Sequence, residues 1–517
     1  MNKSAITLAV SLAVSSLPVM AVDGFLAKGR SLGYGGAGTT YAHWSAAANH
    51  NPALVGSAAG TEQDFFIVLK GSGRITDISD GADTPDVIED FGDDVERFDE
   101  FNDVDLLEGD KDELQRIIDD SNQLISSVGT LDGIGLRSEF GAGGSMGLAY
   151  EKVAFSLHIA SQFDIAGSAG VSDADIAFLR RYTELGQVLL DDVRPLFDEA
   201  AALEQDLMQK EAALNDLVNS GNASDEDIAT ATALVAEAES LFIEADLLAE
   251  EVKNQQTTIE NDFGDIFDQN TQTITFNEEN LESVARFAAL GWFEVGLTAG
   301  SKYKLKNGQT VNYGATIKSV HLEFFDYQVG AATFEEDKID GDDVRNSVNF
   351  TTADLGVIWS LDSADKWRIG GAVKNIVGEE ISSNPIRLAE GQQIMTYKVE
   401  PQIRVGASYN AGWFRLAADV DLTESKGPTL ADGRKFFKGS QYANVGLVLN
   451  AWDFAELRAG YRHNLASSTV TTQTDKSDGI VTFGAGLYLG PVQFDLSLQA
   501  SPELDDLGGG LQAMITW

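Results

Sequence analysis

The chain has 517 residues, no cysteine, and 36 basic against 81 acidic side chains, a formal charge of -45. The missing cysteines exclude disulfide scaffolds, cysteine-based zinc sites and thiol redox chemistry. The acidic balance argues against gripping a nucleic-acid backbone, where Lys and Arg must neutralise phosphates, so no nucleic-acid partner is expected.

Residues 1–21 read as an export signal. Lys3 supplies the positive charge, residues 5–17 a short apolar core, and Val19-Met20-Ala21 a small-residue cleavage site, with cleavage expected after Ala21. The apolar run is too short for the ~20 residues of a spanning helix, and no later segment offers about 18 consecutive apolar residues. A helical membrane protein is thereby excluded, which leaves a secreted, periplasmic or outer-membrane product.

Residues 22–60 contain RSLGYGGAGTTYAHWSAAANHNPALVG. Gly33, Gly35 and Gly36 permit a tight, close-packed backbone, and Asn51-Pro52 forces an extended entry to the first strand. No Lys-Ser/Thr comes after the glycines and no βαβ unit surrounds them, so phosphate binding is poorly supported. Filling the lumen of a barrel is the simpler role, because about fourteen strands enclose more space than wall side chains occupy.

Period-2 alternation then sets the fold class, an all-β transmembrane barrel of about 14 antiparallel strands with an N-terminal lumen plug and an inserted α-helical antiparallel hairpin. Strands are placed near 61–76, 135–150, 152–168, 284–304, 309–326, 344–361, 366–379, 392–410, 412–424, 437–450, 454–466, 479–489, 491–501 and 508–517. In the thirteenth, Val492, Phe494, Leu496 and Leu498 alternate with Gln493, Asp495, Ser497 and Gln499. Six tight links, such as Asn307-Gly308 and Gly490-Pro491, each come after an even-numbered strand and use hairpin turn residues. Outer-membrane barrels keep short turns in the periplasm and long loops outside, so the odd-to-even links are expected at the cell surface. The chain ends on Leu511, Ala513, Ile515 and Trp517, an alternating strand with an aromatic last residue. That ending resembles the signal read by the bacterial barrel-assembly machinery.

Two long outer links interrupt the strands: barrel strands 1–3 with an acidic loop span residues 61–171, and strands 4–14 span 263–517. The acidic run within residues 77–133 does not match a calcium-loop spacing and reads as solvated charge. Residues 172–262 read as two helices. The first carries Leu196, Leu203, Leu207, Leu214 and Leu217 at near-heptad spacing, with a kink or shortening expected at Pro195. A break at Gly221 and a start at Ser224 with Asp227 precede the second helix. The pair is expected to form an antiparallel, coiled-coil-like hairpin, because neither apolar stripe should remain exposed.

No convergent catalytic set is found, so no enzyme activity, cofactor or metal is expected. His43 and His50, seven apart, have no evident third ligand. The charges Glu400, Arg404, Arg415, Asp419, Asp421, Glu456, Arg458 and Arg462 fall on the lumen face, as a salt-bridge network or the lining of a polar path.

The Gly-Gly-Ala-Gly run and the later Asn-Pro-Ala, ahead of a barrel, resemble the FadL-like outer-membrane family. That resemblance implies fourteen strands, a lumen plug and, in its type members, carriage of hydrophobic compounds. NPALV (51–55), PQIRVGASYNAGWFRLAADVDLTES (401–425), SQYANVGLVL (440–449) and LRAGYRHNL (457–465) more closely resemble the TraF-like conjugal-transfer barrel family. The thioredoxin-like pilus-assembly protein of the same name is excluded by the lack of cysteine.

Two functions stand beside each other. One is an accessory or structural barrel of conjugal transfer whose outer hairpin contacts a partner; the other is a plugged channel for small hydrophobic compounds. A free-standing adhesin is a third reading. Expected partners are outer-membrane lipid and lipopolysaccharide, the barrel-assembly machinery, and a surface or conjugation protein.

Overall fold

The computed structural model describes residues 28–61, 64–77, 90, 93–94, 111–131, 135–219, 224–264, 266–268, 273–274, 283–330, 344–384, 386–388, 391–430, 439–466 and 479–517. The expected export signal, most of residues 78–110 and the break at Gly221 lie outside them.

Fourteen antiparallel strands close into one barrel, as the alternation predicts. They are β1 (Phe65–Asp77), β2 (Gly135–Ala149), β3 (Ala154–Gly170), β4 (Val284–Lys304), β5 (Thr310–Gly330), β6 (Arg345–Ser360) and β7 (Trp367–Lys374). The circuit continues with β8 (Gln402–Asn410), β9 (Phe414–Asp421), β10 (Tyr442–Trp452), β11 (Ala455–Asn464), β12 (Gly479–Leu489), β13 (Val492–Ala500) and β14 (Asp506–Thr516). Each strand pairs with its sequence neighbours, and β14 returns to β1 from Phe66↔Thr516 to Thr76↔Asp506. Closure gives each barrel strand a neighbour on both sides, the β6–β7 ladder covering only Leu355–Ser360 of β6.

The strand pleat sends alternate residues to opposite faces. On β13, Gln493, Asp495, Ser497 and Gln499 are buried, while Phe494, Leu496 and Leu498 are exposed. Leu69, Leu157, Leu297, Ile317 and Leu457 carry the same exposed apolar face around the wall. A barrel that is polar inside and apolar outside is built for a hydrocarbon surround. Among the described residues no helix is long and apolar enough to cross a membrane.

The six tight links all lie where parity places them, after even-numbered strands. Gly490, at φ 64, makes the β12–β13 turn in a left-handed conformation that a Cβ would strain. Exposed aromatics gather at this end: Tyr150, Tyr303, Trp367, Trp413, Trp452, Phe454 and Trp517. Amphipathic rings at one rim form the girdle that such barrels place at a lipid–water boundary.

One expected strand is broken. Residues 392–410 were to alternate without interruption, yet Met395, Tyr397 and Val399 are buried in a separate three-stranded sheet, whereas β8 buries Gln402, Arg404 and Ser408. The phase inverts across Glu400-Pro401, because proline has no N–H for the ladder and ends the pairing. The small sheet (Glu379–Ser382, Met395–Val399, Thr429–Leu430) packs against an apolar stretch of inner wall, including Leu290, Trp292, Leu322, Phe324 and Phe350.

The described helices begin with α1 (Ala53–Ala58) in the N-terminal segment and continue with α2 (Lys111–Thr130), α3 (Asp173–Val188), α4 (Arg194–Asn219) and α5 (Asp225–Phe263). A π-turn, Leu189–Val193, joins α3 to α4 in one continuous helical run, its widened i→i−5 turn falling just before Pro195, whose ring and missing N–H disrupt a regular helix interior. Ser224 caps α5 as expected: its Oγ accepts from Asp227 N at 3.1 Å, and the Asp227 carboxylate accepts from Ser224 N at 3.1 Å. Lys210 on α4 meets Glu237 on α5 at 2.5 Å, tying the arms together.

Two expectations about these helices are corrected. Within the acidic link, α2 is a folded helix whose Ile118 joins Tyr182, Leu185, Leu189, Val193, Ile259 and Phe263 in a buried core at the hairpin base. The dense acidic run hid a helical apolar stripe. In the hairpin, α5 turns Ala231, Leu234, Ala238, Leu241 and Leu248 toward α4 and leaves Ile228, Val235 and Phe242 exposed, Phe242 by 59%. Two helices cover only one side of each other, so a stripe wider than the seam stays in solvent.

Candidate functional site

The lumen is where the barrel's chemistry lies. Inward-facing polar residues of the wall meet residues 28–61, which run along the inner face and are almost wholly buried. A 3-10 turn, Gly29–Tyr34, packs on β10 to β14, while α1 packs on β3 to β6. At Gly35, φ is 69, and a Cβ on Gly460 of β11 would overlap the Gly35 backbone. Segment and wall therefore touch through backbone, which accounts for the Gly33, Gly35 and Gly36 run.

Polar contacts lock this fit. Arg30 reaches Glu456 at 2.7 Å, and Glu456 also accepts from the Tyr488 hydroxyl at 2.6 Å. Thr39 donates to Asp419 from its backbone N at 2.9 Å and its hydroxyl at 2.7 Å. Lys374 donates to the carbonyl of Ala48 at 2.6 Å, and Lys28 to that of Ser161 at 3.1 Å. Asn51 has the richest set: its amide nitrogen donates to the carbonyls of Thr39, Val357 and Gly371 at 3.0, 3.3 and 3.3 Å. Its side-chain oxygen accepts from Ala53 N at 2.9 Å, and Pro52 comes next as the cap of α1.

The expected lumen charges divide into groups. Arg404 and Asp421 form a buried pair, with Nη2 to Oδ2 at 2.8 Å, and the same carboxylate accepts from Tyr442 N at 2.8 Å. Arg458 pairs with both Glu456 and Asp495. Arg462 lies over the Tyr442 ring, 4.1 Å from its centroid, a cation–π contact. Arg415 is half-buried near the β8–β9 turn. Glu400 stands apart from the lumen set: it lies beyond the break before β8 and meets Lys426 at 3.2 Å.

Other lumen charges escaped the sequence reading. Arg74 joins Asp506 and Glu139, the latter at 2.8 Å, and Arg137 continues the chain to Glu139 at 2.9 Å and Asp164 at 2.7 Å. Lys318 sits 3.2 Å from both Glu294 and Asp354, and Trp292 donates to Glu294 at 3.0 Å. The signal was present, since each residue lies on the polar phase of its strand. Removing one member of such a buried pair costs about 3–5 kcal/mol, because the other charge is left uncompensated.

The histidines are spread through other roles. His43 caps a short 3-10 turn, its Nδ1 accepting from Ser45 N at 3.2 Å, and His50 is buried against Gly38. Burial first, and then the positive charges of Arg404, Lys70 and Lys374, hold the His50 pKa well below the usual histidine range. Among the described residues no three His, Asp or Glu side chains gather as a metal site. The terminal motif lies as a strand: Leu511, Ile515 and Trp517 face outward with Ala513, and the Trp517 carbonyl accepts from Asp64 N and Phe65 N at 3.1 and 3.0 Å.

Closed wall, apolar exterior, aromatic rim and polar lumen define an outer-membrane β-barrel. The chain belongs to the family described as "F plasmid transfer operon, TraF, protein", whose model matches residues 48–421. The match takes in the NPALV motif and most of the 401–425 motif, while the motifs at 440–449 and 457–465 lie beyond it. A comparison with curated protein sequences finds no match. Among solved structures the chain is similar to the Pseudomonas putida toluene transporter TodX, at 10% identity and TM-score 0.44, covering 97% of this chain and 99% of that one. It is also similar to a Pseudomonas aeruginosa FadL homologue, at 8% identity and TM-score 0.42, covering 97% and 99%. The CymD monoaromatic hydrocarbon channel is similar at 10% identity and TM-score 0.41, covering 96% and 98%.

Proposed function

We propose that the protein is an accessory barrel of a conjugal-transfer system, presenting its helical hairpin to a partner protein outside the cell. The exposed stripe Ile228, Val235 and Phe242 on α5 carries this reading, since contiguous apolar surface on a solvated helix marks a contact face. The hairpin leaves the barrel on the long-link side, which by the short-turn rule faces outward. The family's transfer-operon description supports the same reading. Residues 28–61 serve as a plug, tied into the wall by Arg30, Thr39 and Asn51, and the final strand serves as the assembly signal.

A strain lacking the gene tests it, complemented with the full chain or with a Val235→Asp, Phe242→Ser variant. Mating frequency is expected to fall in the deletion and the variant alike, with uptake of small aromatic solutes unchanged. Normal mating with lost uptake would sink the reading and favour the second one, a channel for hydrophobic compounds. One observation favours that alternative: the apolar inner wall of Leu290, Trp292, Leu322 and Phe350 beneath the small sheet. A tag at Gly221, labelled by antibody on intact and on permeabilised cells, checks the orientation both readings share.

A further inference from the structure

An apolar groove of about 280 Å³ runs between the two arms of the hairpin. Leu207 and Leu214 line it from α4, and Leu234, Val235 and Phe242 from α5. It lies toward the end where the arms are joined, away from the base core that holds Leu185 and Phe263. From Leu234 to Phe242 it covers about 12 Å, a little over two helical turns. Ile228 extends the line of Val235 and Phe242 at strict seven-residue spacing, and the three are 55%, 44% and 59% exposed. Seven-residue spacing is the period at which a helix keeps one edge toward a coiled-coil neighbour. One edge of α5 meets α4, and this second edge borders the open groove.

The rim of the groove is acidic. Glu211 and Glu239 stand on its two sides, and neither has an ion-pair partner among the described residues. Lys210 also borders it but is already matched by Glu237 at 2.5 Å. Over residues 194–219 and 225–263 seventeen Asp and Glu stand against three Lys and Arg, and Arg194 is matched within its own helix by Asp198. This charge decides among occupants. A second copy of the chain would set the same carboxylates against each other. The acidic link within residues 78–110 has Arg97 as its one basic residue, and lipid phosphates are repelled as well. Apolar floor and acidic rims together fit a helix whose apolar face is flanked by Lys and Arg.

We propose that the groove takes a basic amphipathic helix of a partner protein, which completes a three-helix coiled coil with α4 and α5. Its apolar face covers Leu214, Val235 and Phe242, and cations on its flanks meet Glu211 and Glu239. The inference rests on the reading of the hairpin as a partner-contact device and names the chemistry of that partner.

The test uses the full chain in discs of zwitterionic lipid, with fluorescence anisotropy of labelled peptides and empty discs as the background. The probe is a helical peptide of about three heptads, with Leu along its seam and Lys on the flanks. Two control peptides replace the flanking Lys by Glu, or keep the composition and scramble the order. The Lys-flanked peptide is expected to bind at least tenfold more tightly than either control, and to weaken severalfold as salt rises from about 50 to 300 mM. Val235→Asp with Phe242→Ser should lower its affinity tenfold or more. Glu211→Gln with Glu239→Gln should lower it severalfold and flatten the salt dependence. Circular dichroism and heat-modifiable migration on a gel verify that helices and barrel stay folded in each variant. Equal binding of either control peptide, or affinity unchanged in both variants, would overturn the proposal. So would self-association of the chain in detergent that Val235→Asp with Phe242→Ser abolishes, since a second copy would then be the occupant. Mating separates this inference from the reading beneath it. Mating lost in that variant without any peptide binding keeps a partner and removes the basic helix, whereas peptide binding with normal mating keeps the groove and removes the conjugal role.

Discussion

Thr39 gives both its backbone N–H and its hydroxyl to one carboxylate oxygen of Asp419, at 2.9 and 2.7 Å. The two residues stand 380 positions apart, so this contact registers the N-terminal segment against β9. Thr39→Val keeps the shape and the N–H bond but removes the hydroxyl. A hydrogen bond to a charged group contributes about 1.5–3 kcal/mol, so amide exchange across residues 28–61 should quicken by tenfold or more. Exchange unchanged in the variant would show that Asp419 does not hold the segment.

Arg30 and Glu456 form the second tie. Arg30→Ala should loosen the segment at its other end and raise the conductance of the barrel in planar bilayers. Glu456 retains Arg458 and Tyr488 in that variant, so Glu456→Gln should have the larger effect. The double variant should fall short of the sum, because both changes break one contact.

His50 makes the seating of the segment depend on pH. Its folded-state pKa lies below the unfolded value near 6.5, so the seated segment excludes a proton that the released one binds. Stability from this group is complete above pH ~6.5 and declines below it, by up to about 1.4 kcal/mol per pH unit, until the folded pKa is reached. Exchange of residues 28–61 should therefore accelerate from pH 7 to pH 5. A His50→Asn variant should show a flatter profile, and an equal slope in both proteins would remove His50 as the cause.

Ser224 governs the start of α5. Ser224→Ala should cost about 1 kcal/mol of local helix stability and raise amide exchange at Asp225 to Ile228 about fivefold, leaving the barrel's thermal transition in place. A shift of that transition would mean that hairpin and barrel unfold as one unit.

The barrel was legible because a strand's side-chain period is two, and β13 displays it residue by residue. Turn chemistry added parity: Asn307-Gly308 and Gly490-Pro491 tell which end of each hairpin is short. The helical hairpin was equally plain, with Ser224 and Asp227 announcing α5 one turn ahead. The reading failed where local pattern had two meanings. Met395 to Val399 alternates as a barrel strand would, but Pro401 detaches it. The acidic run concealed α2, whose Ile118 has meaning only beside Leu185.

Local periodicity and turn residues therefore determined the strand count, the inward and outward faces, the alternation of short and long links, and the two long helices. These depend on neighbours a few residues apart, which the chain itself displays. Tertiary structure alone decided that Thr39 meets Asp419, that Arg74 joins Glu139 and Asp506, that Phe242 stays exposed at the edge of the hairpin groove, and that Arg415 faces a cavity. Those facts depend on barrel closure and on the register of a segment hundreds of residues from its contacts, and no short-range pattern encodes a distance of that kind.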